Sequence, residues 1–359
     1  MKDRVSIIPR ARSYFVEDVA PHAIAIDRDP DALKIAFTGL GDRGLLALSI
    51  PQQWGGMEAS PVTLAEFQQL VARYSGALAF LQTQHQGAAR LLVNCDRQAL
   101  KDEYLPQMSA GKRLLGVGFS HLRRSGSPPV TATPVQGGYR IAGTLPWITG
   151  LGFFSEFIVG ATLSDGGSVF GIVPFQDSAG IAISAPMELA AVTSTNTVSA
   201  TLNDWFLAEE RVVASQPAGW LQERDKSNVL KSSFFCLGCA RAGLDLVENA
   251  AKTKQLSFID EAFIYLDREL NRCRQAIFDE TKNRVLSLEK QLQLRAWAID
   301  LAVRCAHVAV TVSSGAANTM QHNAQRIYRE ALVFTVFGQT TAVMEATLGQ
   351  LISARTLSL

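Results

Sequence analysis

The chain is 359 residues long, 47% hydrophobic and 19% charged, with a formal net charge of +1. This length is too great for one core and suits two or three domains, and the composition argues against long disordered stretches. Near-neutral charge argues against nucleic acid as a partner, no apolar run is long enough to span a bilayer, and Met1-Lys2-Asp3-Arg4 opens no secretory leader, so a cytoplasmic location is expected.

Residues 12–112 alternate helical patterns with short breaks. A helix is predicted over 31–39, with an acidic start at Asp31 and a stop at Gly39. Pro51 and the paired Gly55-Gly56 mark a loop over 49–56. Apolar residues three and four apart predict helices over 61–74 and 77–94, and Gly111 closes the region. From Arg113 the rhythm changes. Residues 130–143 read as two strands around Gly137-Gly138, followed by short strands over 157–163, 168–174, 180–184 and, finally, 203–213. That spacing suggests a small barrel or sandwich.

Beyond Pro217 there is no proline, and 227–253, 258–279, 286–316 and 324–355 read as long helices of an antiparallel bundle. The expected fold is α+β and multidomain. It comprises a helical N-terminal domain over 1–112, a middle β-barrel or sandwich domain over 113–215 and a C-terminal antiparallel four-helix bundle over 216–359. Of the five cysteines, Cys236 and Cys239 form a single CxxC with no second pair or nearby histidine. No metal site is expected, and buried reduced thiols are.

Four motifs in order carry more information than this helix–strand–helix order. Ile50-Pro51-Gln52-Gln53-Trp54-Gly55-Gly56 resembles a Pro-Glu-Glu-Tyr-Gly-Gly loop. Tyr104-Leu105-Pro106 with Ala110-Gly111-Lys112 resembles a segment that closes a first domain. Gly138-Tyr139, Gly143 and Trp147-Ile148-Thr149-Gly150 resemble Gly-Tyr-x-Leu-Asn-Gly-x-Lys-x-Trp-Ile-Thr-Asn, and Arg326-Ile327-Tyr328-Arg329-Glu330-Ala331 resembles Arg-x-x-Arg-Asp-Ala. Through these motifs the chain resembles the acyl-CoA dehydrogenase superfamily over nearly its full length.

The resemblance implies FAD as cofactor, an acyl-CoA or related thioester as substrate, and a homodimer or homotetramer with FAD between subunits. A flavin ring is flat and apolar with a polar rim, so it needs an apolar wall and donors at its edge. Trp147 and Ile148 would form the wall, Thr149 would supply a hydroxyl, and Phe119-Ser120 would make a second contact. Ser125 or Ser127, in the loop that replaces the family's acidic Gly-rich turn, would donate to the pyrophosphate, while Arg123 and Arg124 would meet phosphate of FAD or of CoA. Ser314-Gly315 falls on the family's Gly-Gly, which approaches a neighbouring subunit's FAD, and Thr340 on the threonine of its Glu-Gly-Thr turn.

Oxidation of a thioester needs a base for the α-proton and polarisation of the carbonyl. The resemblance puts Gly338 at the family's glutamate position and Ser233 near the alternative one, so neither holds a base and no catalytic residue is assigned. Residues 331–344 contain no acid. Gly338 retains a backbone N–H for a thioester carbonyl. Three readings follow: an atypical FAD-dependent oxidoreductase, a catalytically silent acyl-CoA- or flavin-binding homologue or subunit, and a flavin-dependent monooxygenase of the same fold. Residues 80–95 and 227–240 are expected to line any acyl pocket.

Overall fold

The computed structural model describes residues 4–353, with side chains from 7 to 352; the opening Met1-Lys2-Asp3 lies outside them. Helices come first: α1 (Arg4–Tyr14), α2 (Ala23–Arg28), α3 (Pro30–Asp42), α4 (Pro61–Tyr74), α5 (Gly76–Val93) and α6 (Gln98–Ser109). Serines start two of them, Ser60 accepting from Thr63 N–H and Ser75 from Leu78 N–H. Helix α3 runs past Gly39 to Asp42, so the expected glycine stop is wrong. A Cβ on Gly39 would lie 2.2 Å from the Tyr14 hydroxyl, which donates to Ala36 O. Close packing, not a helix end, needs that glycine.

The middle region is one eight-stranded mixed sheet: β1 (Leu115–Gly118), β2 (Val130–Val135), β3 (Gly138–Ile148), β4 (Glu156–Thr162), β5 (Ser168–Pro174), β6 (Ile181–Ile183), β7 (Val198–Ala208) and β8 (Val212–Gln216). The strand order is β6-β7-β3-β2-β4-β5-β8, with β1 parallel to β4. The expected last strand over 203–213 is in fact the end of β7, a short turn at Glu209–Arg211 and the start of β8. The turn residues Glu209-Glu210-Arg211 include neither glycine nor proline, so no breaker marks the junction. The four-residue β1 was not anticipated; it is too short for a period to register.

Helices return with α7 (Trp220–Lys226), α8 (Ser233–Lys254), α9 (Ser257–Asn283), α10 (Leu288–Ser313), α11 (Asn323–Val336) and α12 (Thr341–Ser353). The single helix expected over 324–355 is therefore two, broken at Gly338, whose φ is +65°. By length and composition Leu288–Asn318 could cross a membrane, but 56% of its apolar window is buried within the protein. All five cysteines are buried and free.

Polar clasps join the three parts. Tyr104 donates to Glu156 Oε1 at 2.9 Å, and Arg113 and Arg211 both pair with the same carboxylate. Arg73 holds Asp245 through two bonds of 2.7 and 2.9 Å. His85 of α5 accepts from Leu115 N–H of β1. Burial pushes its pKa down from 6.5 to about 4, so it is neutral in the fold. The unfolded chain then binds the extra proton first. Stability is expected to fall as pH drops from 6.5 toward 4, and urea melts across that window should show His85→Gln with a shallower loss than the native chain.

Candidate active site

Trp147 stands out because of a fault in the sheet. Leu145 pairs with Ala200 and Ile148 with Val198, which leaves Pro146 and Trp147 together opposite Ser199 alone. This β-bulge accommodates a proline that could not donate within a central strand, and it resets the inside–outside alternation. Leu145 and Ile148 both point into the core, while Trp147 keeps 47% of its surface exposed. Ile148 thus offers a facing ligand only its backbone. Thr149 is buried, its hydroxyl 3.0 Å from that of Thr197. A recess of about 530 Å³, lined by Leu151, Phe153, Phe175 and Ile183 among others, opens just beyond this strand end.

After β1 the loop carries Phe119, buried, and Ser120, exposed. His121 anchors it: the ring Nε2 lies 3.0 Å from Gly160 O of β4, and burial holds the pKa near 4, so the residue is a neutral strut. Arg123 is committed within the chain, gripping Asp225 of α7 at 2.6 and 2.8 Å. Arg124 and Ser125 are exposed, and Arg124 forms no ion pair among the described residues. Arg224 of α7 lies over both the Phe119 and Trp220 rings.

The turn between α11 and α12 is fixed by aromatic packing. Phe337 meets Phe80 of α5 at 5.2 Å and Phe235 of α8 at 5.3 Å, and its carbonyl accepts from the buried Arg295 of α10. These contacts force the chain to reverse at the next residue, Gly338, which is exposed and left-handed. A Cβ there would come within 2.9 Å of Ser232 Oγ, so Gly338 faces the entry to α8. Ser233, the first residue of α8, is fully buried and its hydroxyl has no partner. Thr340 caps α12 by accepting from Val343 N–H. The turn thus brings Gly338 beside Ser232, the residue that precedes Ser233.

Ser314 and Gly315 lie elsewhere. Arg295 marks the Phe337 turn on α10, and Ser314 follows it nineteen residues later, roughly 28 Å along a helix axis. Ser314 adopts φ 53°, ψ −145°, backbone that belongs almost exclusively to glycine, and a Cβ on Gly315 would meet nothing within 4 Å. The sharp, open bend survives although its first glycine is a serine.

Sequence reasoning missed one cluster altogether: Arg90 of α5, Arg224 of α7 and Lys231 just before α8. Each is held below its ordinary pKa chiefly by burial, with repulsion from neighbouring cations next, and Lys231 falls to about 8. No spacing could have revealed it, because the three residues come from three elements.

Residues 2–112 match the family profile "Acyl-CoA dehydrogenase, N-terminal domain". A Bacillus subtilis protein named probable acyl-CoA dehydrogenase YngJ is 23% identical across 95% of this chain and 96% of its own. The mitochondrial isovaleryl-CoA dehydrogenase of Oryza sativa subsp. japonica is 25% identical over 56% of this chain and 52% of its own. Among solved structures, butyryl-CoA dehydrogenase from Megasphaera elsdenii superposes with a TM-score of 0.82 at 15% identity, covering 98% of both chains. An acyl-CoA dehydrogenase from Geobacillus kaustophilus gives 0.82 at 14%, again over 98% of each. At such identities these two likenesses speak for the fold alone.

The family profile over residues 2–112 and the relatives matched along nearly the whole chain support membership of the acyl-CoA dehydrogenase superfamily. Members of this superfamily are acyl-CoA oxidoreductases that typically bind FAD. The three-part fold expected from the sequence is the acyl-CoA dehydrogenase fold.

Proposed function

We propose that the protein is an FAD-dependent, acyl-CoA dehydrogenase-like oxidoreductase acting in the cytoplasm on an acyl thioester, with its catalytic base position vacant. The observation that carries this reading is the Gly338 turn, built as a site and lacking a side chain. Phe337 is clamped by two aromatic rings and a buried arginine, and the residue it presents has neither acid nor base. The residues present fit a flavin: an outward tryptophan on a bulged strand, a hydroxyl at Thr149 behind it, and a glycine-like bend at Ser314-Gly315 with space above it. Bound FAD would supply the hydride acceptor.

The chain's own groups then do the following. Trp147 would wall one side of the ring and exclude water there. The Gly338 N–H would polarise the thioester carbonyl. No residue at Gly338, Ser232 or Ser233 takes the α-proton, which favours slow turnover, and in the limit a silent acyl-CoA-binding homologue or subunit. Absorbance spectra test this. Purified protein reconstituted with FAD should keep the flavin bands through gel filtration and bleach slowly when acyl-CoA is added anaerobically. Trp147→Ala should retain less than about a tenth of the flavin, given ~1.5–3 kcal/mol for a large buried side chain. A native chain that never retains flavin sinks the reading. Retained flavin that no thioester bleaches leaves the silent alternative standing.

The proposal includes a homodimer or homotetramer. Tyr328, Leu332, Val336, Met344, Leu348 and Leu351 form an exposed apolar stripe down α11 and α12. The distance between Ser314-Gly315 and the Gly338 turn also favours completion of each site by a neighbouring copy. Light scattering is expected to give a dimer or larger, and Leu332→Asp with Leu348→Asp to lower the mass; a native monomer overturns the assembly.

A further inference from the structure

We propose that Arg295 is a positioning residue for the thioester: through the Phe337–Gly338 peptide it aims and polarises the Gly338 N–H. The inference rests on the preceding reading of that N–H as the donor to the thioester carbonyl.

Arg295 of α10 is 1% exposed and heads the fully buried side chains in size. It forms no ion pair among the described residues, whereas Arg326, also buried, is matched by Glu330 at 2.7 Å. Asp300, further along α10, is already taken by Arg304 at 2.7 Å. The titratable group that acts on Arg295 most is Cys236, and burial keeps that thiol protonated. Burial also lowers the arginine's own pKa, yet a guanidinium keeps its proton in a folded protein. A desolvated cation therefore stands uncompensated, where an apolar side chain of similar volume would pack at less cost.

What this cation holds is one atom. Its Nη2 donates to the Phe337 carbonyl at 2.9 Å, and its Nη1 is buried without a partner. That carbonyl shares a planar unit with the Gly338 N–H. The peptide is trans, so the C=O and the N–H point in opposite directions. The N–H is thereby turned away from Arg295. It donates to nothing among the described residues, and Gly338 itself is exposed. Phe80, Phe235 and Arg295 pack one side of the turn, and Ser232 stands beside Gly338.

A cation bonded to the carbonyl oxygen draws electron density across the amide. Hydrogen bonds linked in this way strengthen one another by about 10–30% each. Arg295 thus fixes the plane of the peptide and makes its N–H a stronger donor to a carbonyl oxygen that gains negative charge. With no acid between 331 and 344, no carboxylate in the turn cancels the field. A mere cap on the negative end of α11 would use the same bond but would favour no ligand over another.

Anaerobic calorimetry on the full chain with FAD separates the two roles. It compares a saturated acyl-CoA with the S-alkyl-CoA thioether of equal length, which lacks only the carbonyl oxygen. Native protein is expected to prefer the thioester by about tenfold, as for one hydrogen bond. Arg295→Gln offers Phe337 a neutral donor and should cut that preference about two- to fivefold, with thioether affinity unchanged. Arg295→Met, the kind of swap a buried unpaired charge tolerates, should cut it at least as far. Arg295→Lys keeps the cation and should keep the preference. A second readout needs no ligand. Carbonyl-labelled phenylalanine with amide-labelled glycine marks just two peptides, Phe170-Gly171 and Phe337-Gly338. The Gly338 amide nitrogen resonance should move in the glutamine and methionine variants and hold in the lysine one.

Equal weakening of both ligands makes Arg295 a cap only and overturns the proposal. So does a preference or a Gly338 resonance that the glutamine and methionine variants leave unchanged, or a lysine variant that loses as much as they do. Native protein that binds thioester and thioether alike overturns the Gly338 contact too, but leaves acyl-CoA binding in place. Native protein that binds neither takes down the thioester reading itself.

Discussion

Gly338→Glu is expected to raise acyl-CoA oxidation by about 10²–10⁴-fold, the usual contribution of a positioned general base. The turn is already rigid: Phe337 is held by Phe80, Phe235 and the Arg295 bond, so a side chain added next to it would be aimed rather than floppy. Two local costs oppose the change. A left-handed φ of +65° costs a non-glycine residue roughly 1–2 kcal/mol. The new Cβ would also crowd Ser232 Oγ at 2.9 Å, but that atom is the free end of a short side chain and can rotate away. Gly338→Gln carries the same strain and nearly the same shape without a base. Anaerobic flavin bleaching by acyl-CoA should therefore accelerate in the glutamate variant and not in the glutamine one. Equal rates in the two would mean that Gly338 does not mark the missing base.

Glu330→Ala should destabilise the protein by about 3–5 kcal/mol, because it strands a buried charge. Glu330 is fully buried, and its Oε1 accepts from Arg326 at 2.7 Å and from the Gly76 N–H that starts α5 at 2.9 Å. Desolvation raises its pKa, and Arg326 and the Gly76 N–H pull the other way. Removing the carboxylate leaves Arg326 buried with only Asn323 as side-chain partner, and leaves an unpaired backbone donor at a helix start. Glu330→Gln keeps an acceptor for both and should cost less. Urea melts monitored by circular dichroism decide the point; a loss below about 1 kcal/mol for the alanine variant would show that α5 and α11 are held mainly by apolar packing. Arg329, one residue earlier, clasps Asp27 at 2.6 Å and donates to Ala190 O. The Arg-x-x-Arg-Glu-Ala motif is thus a three-way fastening between the parts of the fold.

That motif shows how legible the sequence was. Its presence and order with the other three motifs were enough to identify the fold, because local spacing records helices, turns and strands faithfully. Helices α4 and α5 matched their predicted spans to within a residue at each end, and β2 and β3 flank the predicted glycine turn. Errors came at junctions that carry no proline. The α11–α12 corner turns at a single glycine, Gly338, and the β7–β8 junction at Glu209–Arg211 has neither glycine nor proline.

What the sequence by itself determined was the succession of elements and the absence of an acid from 331–344, since both are properties of neighbours along the chain. Only the tertiary structure decided which face each residue presents. A bulge against Ser199 turned Trp147 outward and Ile148 inward, Asp225 claimed Arg123, and Glu330 met the Gly76 N–H from 254 residues away. Register, partner choice and desolvation depend on what packs opposite, and that is settled by contacts hundreds of residues apart in some cases, which no local pattern encodes.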